Sequence, residues 1–331
     1  MKILFYDTKS YDKESFDKAL KDYPEITIEY TKSDLDSRTA SLAEGFDAVC
    51  AFVSSEVGAS TLEILHKKGV RFILLRCAGF NNVDLEKARE LGMGVLRVPG
   101  YSPEAVAEHA MALALACNRR LYKAYNKVRE NDFSLSGLMG FNFYQKTAGI
   151  IGTGKIGRVF ADICKGFGMT ILAYDKFPTA DSGLNYVELP ELFEKSDIIS
   201  LHCPLTAETR HIINADSIAM MKKGVTIINT SRGALVNTED LITGIKDRKV
   251  GAACLDVYEE EGALFYEDCS GHIVEDDKLV RLIAMPNVIV TSHQAFLTNE
   301  ALDNIASTTV NNLTRFFSGD PDTSTEVCYH K

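Results

Sequence analysis

Residues 148–175 constrain this chain most. The apolar run Ala148-Gly149-Ile150-Ile151 leads into Gly152-Thr153-Gly154-Lys155-Ile156-Gly157. A helix-like stretch, 155–167, follows, and then the apolar run Thr170-Ile171-Leu172-Ala173-Tyr174 ends at Asp175. Strand, glycine turn, helix, strand and acid come in the order a dinucleotide site needs. Gly152 allows the tight turn, Gly154 lets backbone approach a pyrophosphate, and Gly157 lets helix and strand pack closely. The helix start offers free N–H groups to phosphate. Asp175 can accept hydrogen bonds from both ribose hydroxyls and repels a 2′-phosphate, so the expected cofactor is NAD rather than NADP.

The turn lies near the middle of 331 residues, a length that points to two domains. The preceding segment alternates strand-like runs (2–6, 26–30, 48–52, 72–75, 94–98) with helix-like ones (15–21, 61–67, 85–91) and carries no phosphate-binding glycine pattern. A second set of strands is expected at 148–151, 170–174, 197–202, 225–229, 252–256 and 288–291. The region 103–128 reads as the longest helix, with Ser102 as its cap and Pro103 in its first turn. The last helical pattern, 300–317, follows the second sheet, so it is expected to return to the first domain. The polar tail beyond Phe317 reads as loosely tied. The fold class expected is α/β, two doubly wound parallel-sheet domains around a cleft. The first, flavodoxin-like, comprises 1–100 plus 299–331. The second, of Rossmann type, comprises 101–298.

The formal net charge of −10 and the lack of a basic stripe argue against a nucleic-acid partner. No apolar run is long enough for a membrane span. The start reads as a core strand rather than a cleaved leader, and the expected location is cytoplasmic. Eight scattered cysteines without a CxxC pair read as small buried hydrophobes, with no metal site.

Acid–base chemistry on a carbonyl needs a proton donor, a group that tunes it and a cation that polarises the substrate. Three strand ends supply those types: Arg232 in Asn229-Thr230-Ser231-Arg232-Gly233, Asp256 and Glu261 in Asp256-Val257-Tyr258-Glu259-Glu260-Glu261, and His293 after 288–291. Ligands bind beyond the carboxyl ends of such strands. The remaining histidines, His109 and His202 among them, read as ordinary partly buried side chains.

In that order these motifs resemble the D-isomer-specific 2-hydroxyacid dehydrogenases, over nearly the whole chain. Arg76-Cys77-Ala78-Gly79-Phe80-Asn81, Leu264-Phe265-Tyr266-Glu267-Asp268 and His293-Gln294-Ala295-Phe296-Leu297-Thr298 resemble the branch that makes D-lactate from pyruvate. The resemblance implies that Arg232 binds the substrate carboxylate and carbonyl. His293 is the general acid/base, and Glu261, five residues after Asp256, orients it. The amides of Ala78 and Gly79, with Tyr101, hold the carboxylate, and Phe296 forms a wall that favours a small side chain. It implies cofactor contacts from Gly152, Gly154, Lys155, Ile156, Gly157, Asp175, Cys203, Pro204, Thr209, Thr230, Ser231 and Asp256. It also implies a homodimer through the nucleotide domain, to which the 103–128 helix contributes, and a dry site formed by domain closure. The alternatives are a dehydrogenase for a bulkier 2-oxoacid and an NAD-sensing binding protein of the same fold.

Overall fold

The computed structural model describes residues 1–262, 264–317 and 324–328. The chain forms two compact units, one of Met1–Ser102 with the chain from Phe296 onward, the other of Pro103–Ala295. Each is built on a six-stranded sheet.

In the first unit the strands are β1 (Lys2–Phe5), β2 (Thr27–Tyr30), β3 (Ala48–Ala51), β4 (Phe72–Leu75) and β5 (Gly94–Leu96). They run parallel in the order β2-β1-β3-β4-β5. Central β3 and β4 are buried along their whole length, as continuous apolar runs covered on both faces must be. Helices α1 (Ser10–Ala19), α2 (Ala59–Lys67) and α3 (Leu85–Glu90) connect them. Asp84 caps α3 by accepting the Lys87 amide. Tyr101 and Phe296 belong to this unit. The Tyr101 carbonyl accepts from Asn304, and the Phe296 ring packs edge-on to Tyr101 and Tyr11 and tilted against Phe52.

The second unit opens with α4 (Pro103–Asn118) and α5 (Leu121–Arg129). The single helix expected over 103–128 is broken because Arg120 adopts the left-handed region at φ 52°. Pro103 holds the first helical position, where its missing N–H costs nothing. Strands β6 (Thr147–Ile151), β7 (Thr170–Tyr174), β8 (Ile198–Leu201), β9 (Val225–Asn229), β10 (Val250–Leu255) and β11 (Val288–Val290) run parallel in the order β7-β6-β8-β9-β10-β11. A single parallel bridge, Ala173 to Tyr186, extends the sheet beyond β7. Small α4 residues Ala107, Ala110 and Ala114 pack into a core with Phe160 and Ala161 of α6 (Lys155–Gly166) and Cys254 of β10. Helices α7 (Leu189–Lys195), α8 (Ala215–Met220), α9 (Thr238–Lys246) and α10 (Asp277–Ala284) complete the unit.

Helix α11 (Asn299–Phe317), longer than α4, lies in the first unit. Lys18 of α1 reaches Asp303, and Phe72 meets Phe316 and Phe317 edge-on. The tail is not uniformly loose. Glu326–Cys328 form β12, antiparallel to β5, with Cys328 buried. The alternation of one short exposed-edge strand was too brief to read from sequence. The rest of that expectation lies outside the described residues.

Candidate active site and cofactor pocket

Each glycine of the 152–157 turn has a separate steric reason. Gly152 has φ +95°, and a Cβ on it would lie 2.5 Å from both the Cys203 nitrogen and the His202 carbonyl carbon. A Cβ on Gly157 would lie 2.0 Å from the Gly152 oxygen, so α6 can pack on β6 only without it. Gly154 precedes α6, and a Cβ there would meet nothing within 4 Å. The turn is therefore open on this side, beside the first amides of α6 at Lys155 and Ile156, groups of a kind that could hold a phosphate.

A cavity of about 280 Å³ adjoins this turn, between the ends of β6, β7 and β8. Its walls include Gly152, Asp175, Cys203, Pro204 and Thr209. Oδ2 of Asp175 accepts the Thr153 amide at 2.6 Å and the Thr153 hydroxyl at 3.0 Å, and Oδ1 accepts the Phe177 amide at 2.9 Å. Burial pushes this carboxyl up, but those donors and nearby Arg158 outweigh it and hold the pKa below the usual range. An ionised acid at the end of the second strand of such a fold could accept from ribose hydroxyls, as NAD requires. The Thr153 hydroxyl also meets Tyr186, a partner without a sequence signal because a single bridge residue makes no periodic pattern.

Arg232 is set by a turn locked from inside. Asn229, fully buried at the end of β9, donates to the Arg232 carbonyl and accepts the Ser231 amide. The Ser231 hydroxyl donates to the Cys203 carbonyl. Gly233 has no room for a side chain, since a Cβ would lie 1.9 Å from the Tyr258 oxygen. These contacts bring the Arg232 turn against the loop after β10. The buried Thr230 hydroxyl meets no partner among the described residues.

That loop and the next carry the acid and the histidine. His293 Nδ1 lies 3.3 Å from Glu261 Oε1. This is ion-pair distance without full hydrogen-bond alignment, a looseness common before a substrate tightens a site. Glu259, the other acid in the run, accepts instead from His211 at 2.6 Å and from Thr238. The backbone around His293 is anchored by Asp256, which is 0% exposed. The Asp256 carbonyl accepts the His293 amide, and its carboxylate accepts the amides of Gln294 and Ala295 and the Thr291 hydroxyl. Burial raises the Asp256 pKa, but His109, Thr291, Ala295 and Gln294 outweigh it and keep the carboxyl low. Asp256 thus holds His293 at φ 54°, a left-handed conformation that needs such support. His109, on α4, is indeed a satisfied half-buried side chain, but its partners are Thr291 at 3.2 Å and Asp256 at 3.3 Å. Only the packing of α4 on the sheet reveals that neighbourhood. Tyr266 donates to the His293 carbonyl at 3.2 Å.

The remaining expected residues lie in the first unit. Ala78 and Gly79 are half-buried after β4, where the Ala78 carbonyl accepts from Arg97 and the Gly79 carbonyl from the Cys77 thiol. All eight cysteines are free, and seven are buried. Among the described residues no cluster of His, Cys, Asp or Glu is arranged to hold a metal, and no helix is long and apolar enough to cross a membrane.

Comparison with known proteins agrees with this geometry. Residues 111–295 match the profile of the D-isomer specific 2-hydroxyacid dehydrogenase NAD binding domain. D-lactate dehydrogenase of Escherichia coli K12 is 49% identical over 97% of this chain and 98% of its own. Its apo-structure superposes with a TM-score of 0.90, covering 99% of this chain and 100% of that one at 47% identity. 2-Hydroxyacid dehydrogenase A of Aspergillus oryzae is 51% identical over 96% of this chain and 92% of its own. D-lactate dehydrogenase of Aquifex aeolicus, solved with NAD and lactic acid, gives a TM-score of 0.87 at 32% identity, covering 99% of this chain and 100% of that one. With the glycine turn before α6, an acid at the end of β7 and the Arg232, Glu261 and His293 strand ends in one unit, the chain belongs to the D-isomer-specific 2-hydroxyacid dehydrogenases, oxidoreductases that use NAD.

Proposed function

We propose that this enzyme reversibly reduces pyruvate to D-lactate, with His293 as general acid/base. The 3.3 Å Glu261–His293 pair, held by the Asp256 anchor, is the observation that supports it most directly. Arg232 binds the substrate carboxylate through its planar fork and polarises the carbonyl. The amides of Ala78 and Gly79, with Tyr101, take the rest of the carboxylate. When bound, the reduced nicotinamide supplies a hydride to the carbonyl carbon. His293 gives a proton from Nε2 to the carbonyl oxygen and takes it back in the reverse direction. Glu261 accepts from Nδ1–H, which orients the ring and fixes the tautomer that presents Nε2. Lys155, Ile156, Cys203, Pro204, Thr209, Thr230, Ser231 and Asp256 serve the cofactor side. Phe296, packed against Tyr11, Phe52 and Tyr101, supplies a bulky wall that favours a small side chain on the substrate.

The working form is a homodimer through the NAD-binding unit. Leu121, Tyr125, Phe133, Leu135 and Met139 are all more than half exposed there, an apolar surface that favours cover by a second copy. Free, mostly buried thiols support a cytoplasmic location.

Steady-state rates with NADH across 2-oxoacids test the reading. Pyruvate should give the highest kcat/KM, and the protein should sediment as a dimer. Preference for phenylpyruvate or 2-ketoisocaproate sinks the lactate assignment. His293→Gln should lower kcat by about 10²–10⁴-fold with NADH affinity nearly kept. Retained turnover removes His293 from the mechanism.

A further inference from the structure

One charge pair on the wall of the cofactor cavity, Lys176 with Glu208, has no role in the reading above. Lys176 follows Asp175 at the end of β7, and Glu208 lies in the loop after β8. Both line the same cavity as Asp175. Lys176 Nζ sits 2.7 and 2.5 Å from the two Glu208 oxygens. The two side chains are 57% and 65% exposed. An exposed pair of this kind contributes little to stability, so its placement calls for another reason.

The position supplies one. Where this fold takes NADP, a cation near the acid at the second strand end receives the 2′-phosphate. Lys176, one residue past Asp175, occupies that place. Its ammonium is a compact charge on a flexible stem, able to swing to a phosphate if released. Glu208 occupies it instead, from a different strand end. Asp175 accepts from Thr153 and Phe177, while the Lys176 ammonium is directed to Glu208.

We propose that Glu208 is a cofactor-specificity residue: by pairing with Lys176 it withholds the cation that a 2′-phosphate needs. Selection of NAD over NADP then has two parts. Asp175 repels the extra phosphate, and Glu208 keeps a latent phosphate ligand neutralised. Arg158, exposed on the first turn of α6, is the other cation near Asp175. The inference rests on NAD binding at this cavity and not on which 2-oxoacid is reduced.

The test compares wild type, Glu208→Gln, Lys176→Ala and the double variant. It measures NADPH and NADH dissociation constants from the fluorescence of the reduced nicotinamide, with kcat/KM alongside. Glu208→Gln should raise the preference for NADPH relative to NADH about three- to fivefold, through affinity and KM rather than kcat. High salt should erase the gain, because the freed pair is solvent-screened. Lys176→Ala alone should give no gain, and the double variant should return to the wild-type ratio. An unchanged ratio in Glu208→Gln overturns the inference. So does a gain that survives in the double variant, since it would then come from removing the Glu208 charge or from Arg158. The binding readout stands even if pyruvate proves not to be the substrate.

Discussion

Between β6 and β8, where the strand order of the second sheet reverses, the chain leaves a cavity. Between β1 and β3, where the first sheet reverses, it inserts a guanidinium. Arg76, 2% exposed at the end of β4, lies 4.6 Å from the Phe5 ring centroid and 4.5 Å from that of Phe52. It donates to the carbonyls of Tyr6 and Asp7, and its Nε is 3.4 Å from Asp12. Both sheets are wound to make a crevice at this point. What differs is the side chain offered to it. Gly152 offers none and keeps the crevice open. Arg76 offers a flat cation whose faces suit aromatic rings and whose edge suits carbonyls and carboxylates. Winding makes a site possible, and a few residues decide whether it is open or plugged.

The plug can be broken most severely. Burial raises the Asp12 pKa even though Arg76 pulls it down, so the carboxylate depends on its partner. Arg76→Met should leave the buried Asp12 without its guanidinium partner, at a cost of about 3 kcal/mol in the first unit, read by urea unfolding. Arg76→Met combined with Asp12→Leu should recover most of it, as apolar replacement of a buried pair often does. A single variant within about 1 kcal/mol of wild type would show that the filled crevice does not hold the unit together.

Much of this contrast was legible only on one side. β3, β4, β6 and β8 are continuous apolar runs, so their places could be read closely from sequence. The 152–157 turn and the Arg232, Glu261 and His293 strand ends could be read because a special backbone or a reactive side chain leaves a residue-level mark. Arg76 left none. A buried arginine and an exposed one look alike until Phe5, Phe52 and Asp12 are brought around it. Asp256 reads from sequence as a strand-end site residue, but the way its oxygens organise the backbone from Thr291 to Ala295 does not, nor does the reach of His109 to it across 147 positions of sequence. Helix α1 begins earlier than apolar spacing shows, because the Asp12 carboxylate accepts the Lys9 amide at its start. The break at Arg120 is a backbone choice within an uninterrupted helical pattern.

The open crevice can be closed by one methyl group. Gly152→Ala places a Cβ at 2.5 Å from two backbone atoms, in a left-handed conformation that only glycine adopts freely. The cost to the second unit should be about 2–3 kcal/mol, since rigid backbone must shift rather than a flexible side chain. NADH affinity should fall about a hundredfold, while the first unit unfolds as before. Titration of NADH fluorescence separates these outcomes, and wild-type affinity in the variant would mean that the turn tolerates filling.

The smallest expected effect concerns how the open crevice is backed. His202 follows β8, with Nε2 at 2.8 Å from the Ser200 hydroxyl and its ring 5.0 Å from that of Phe160. Burial pushes its pKa down from 6.5 to about 3. Between those values the unfolded chain binds a proton that the folded protein refuses. Stability is therefore complete above pH 6.5 and is lost as pH falls, at about 1.36 kcal/mol per pH unit, or about 2 kcal/mol by pH 5. His202→Asn cannot take up that proton, so its stability should fall less over this range by the same amount. Denaturant unfolding of both proteins across pH 5 to 7 measures the difference in slope. Equal slopes would mean that the imidazole reaches water and that the crevice, unlike the arginine-filled one, is backed by a hydrated wall.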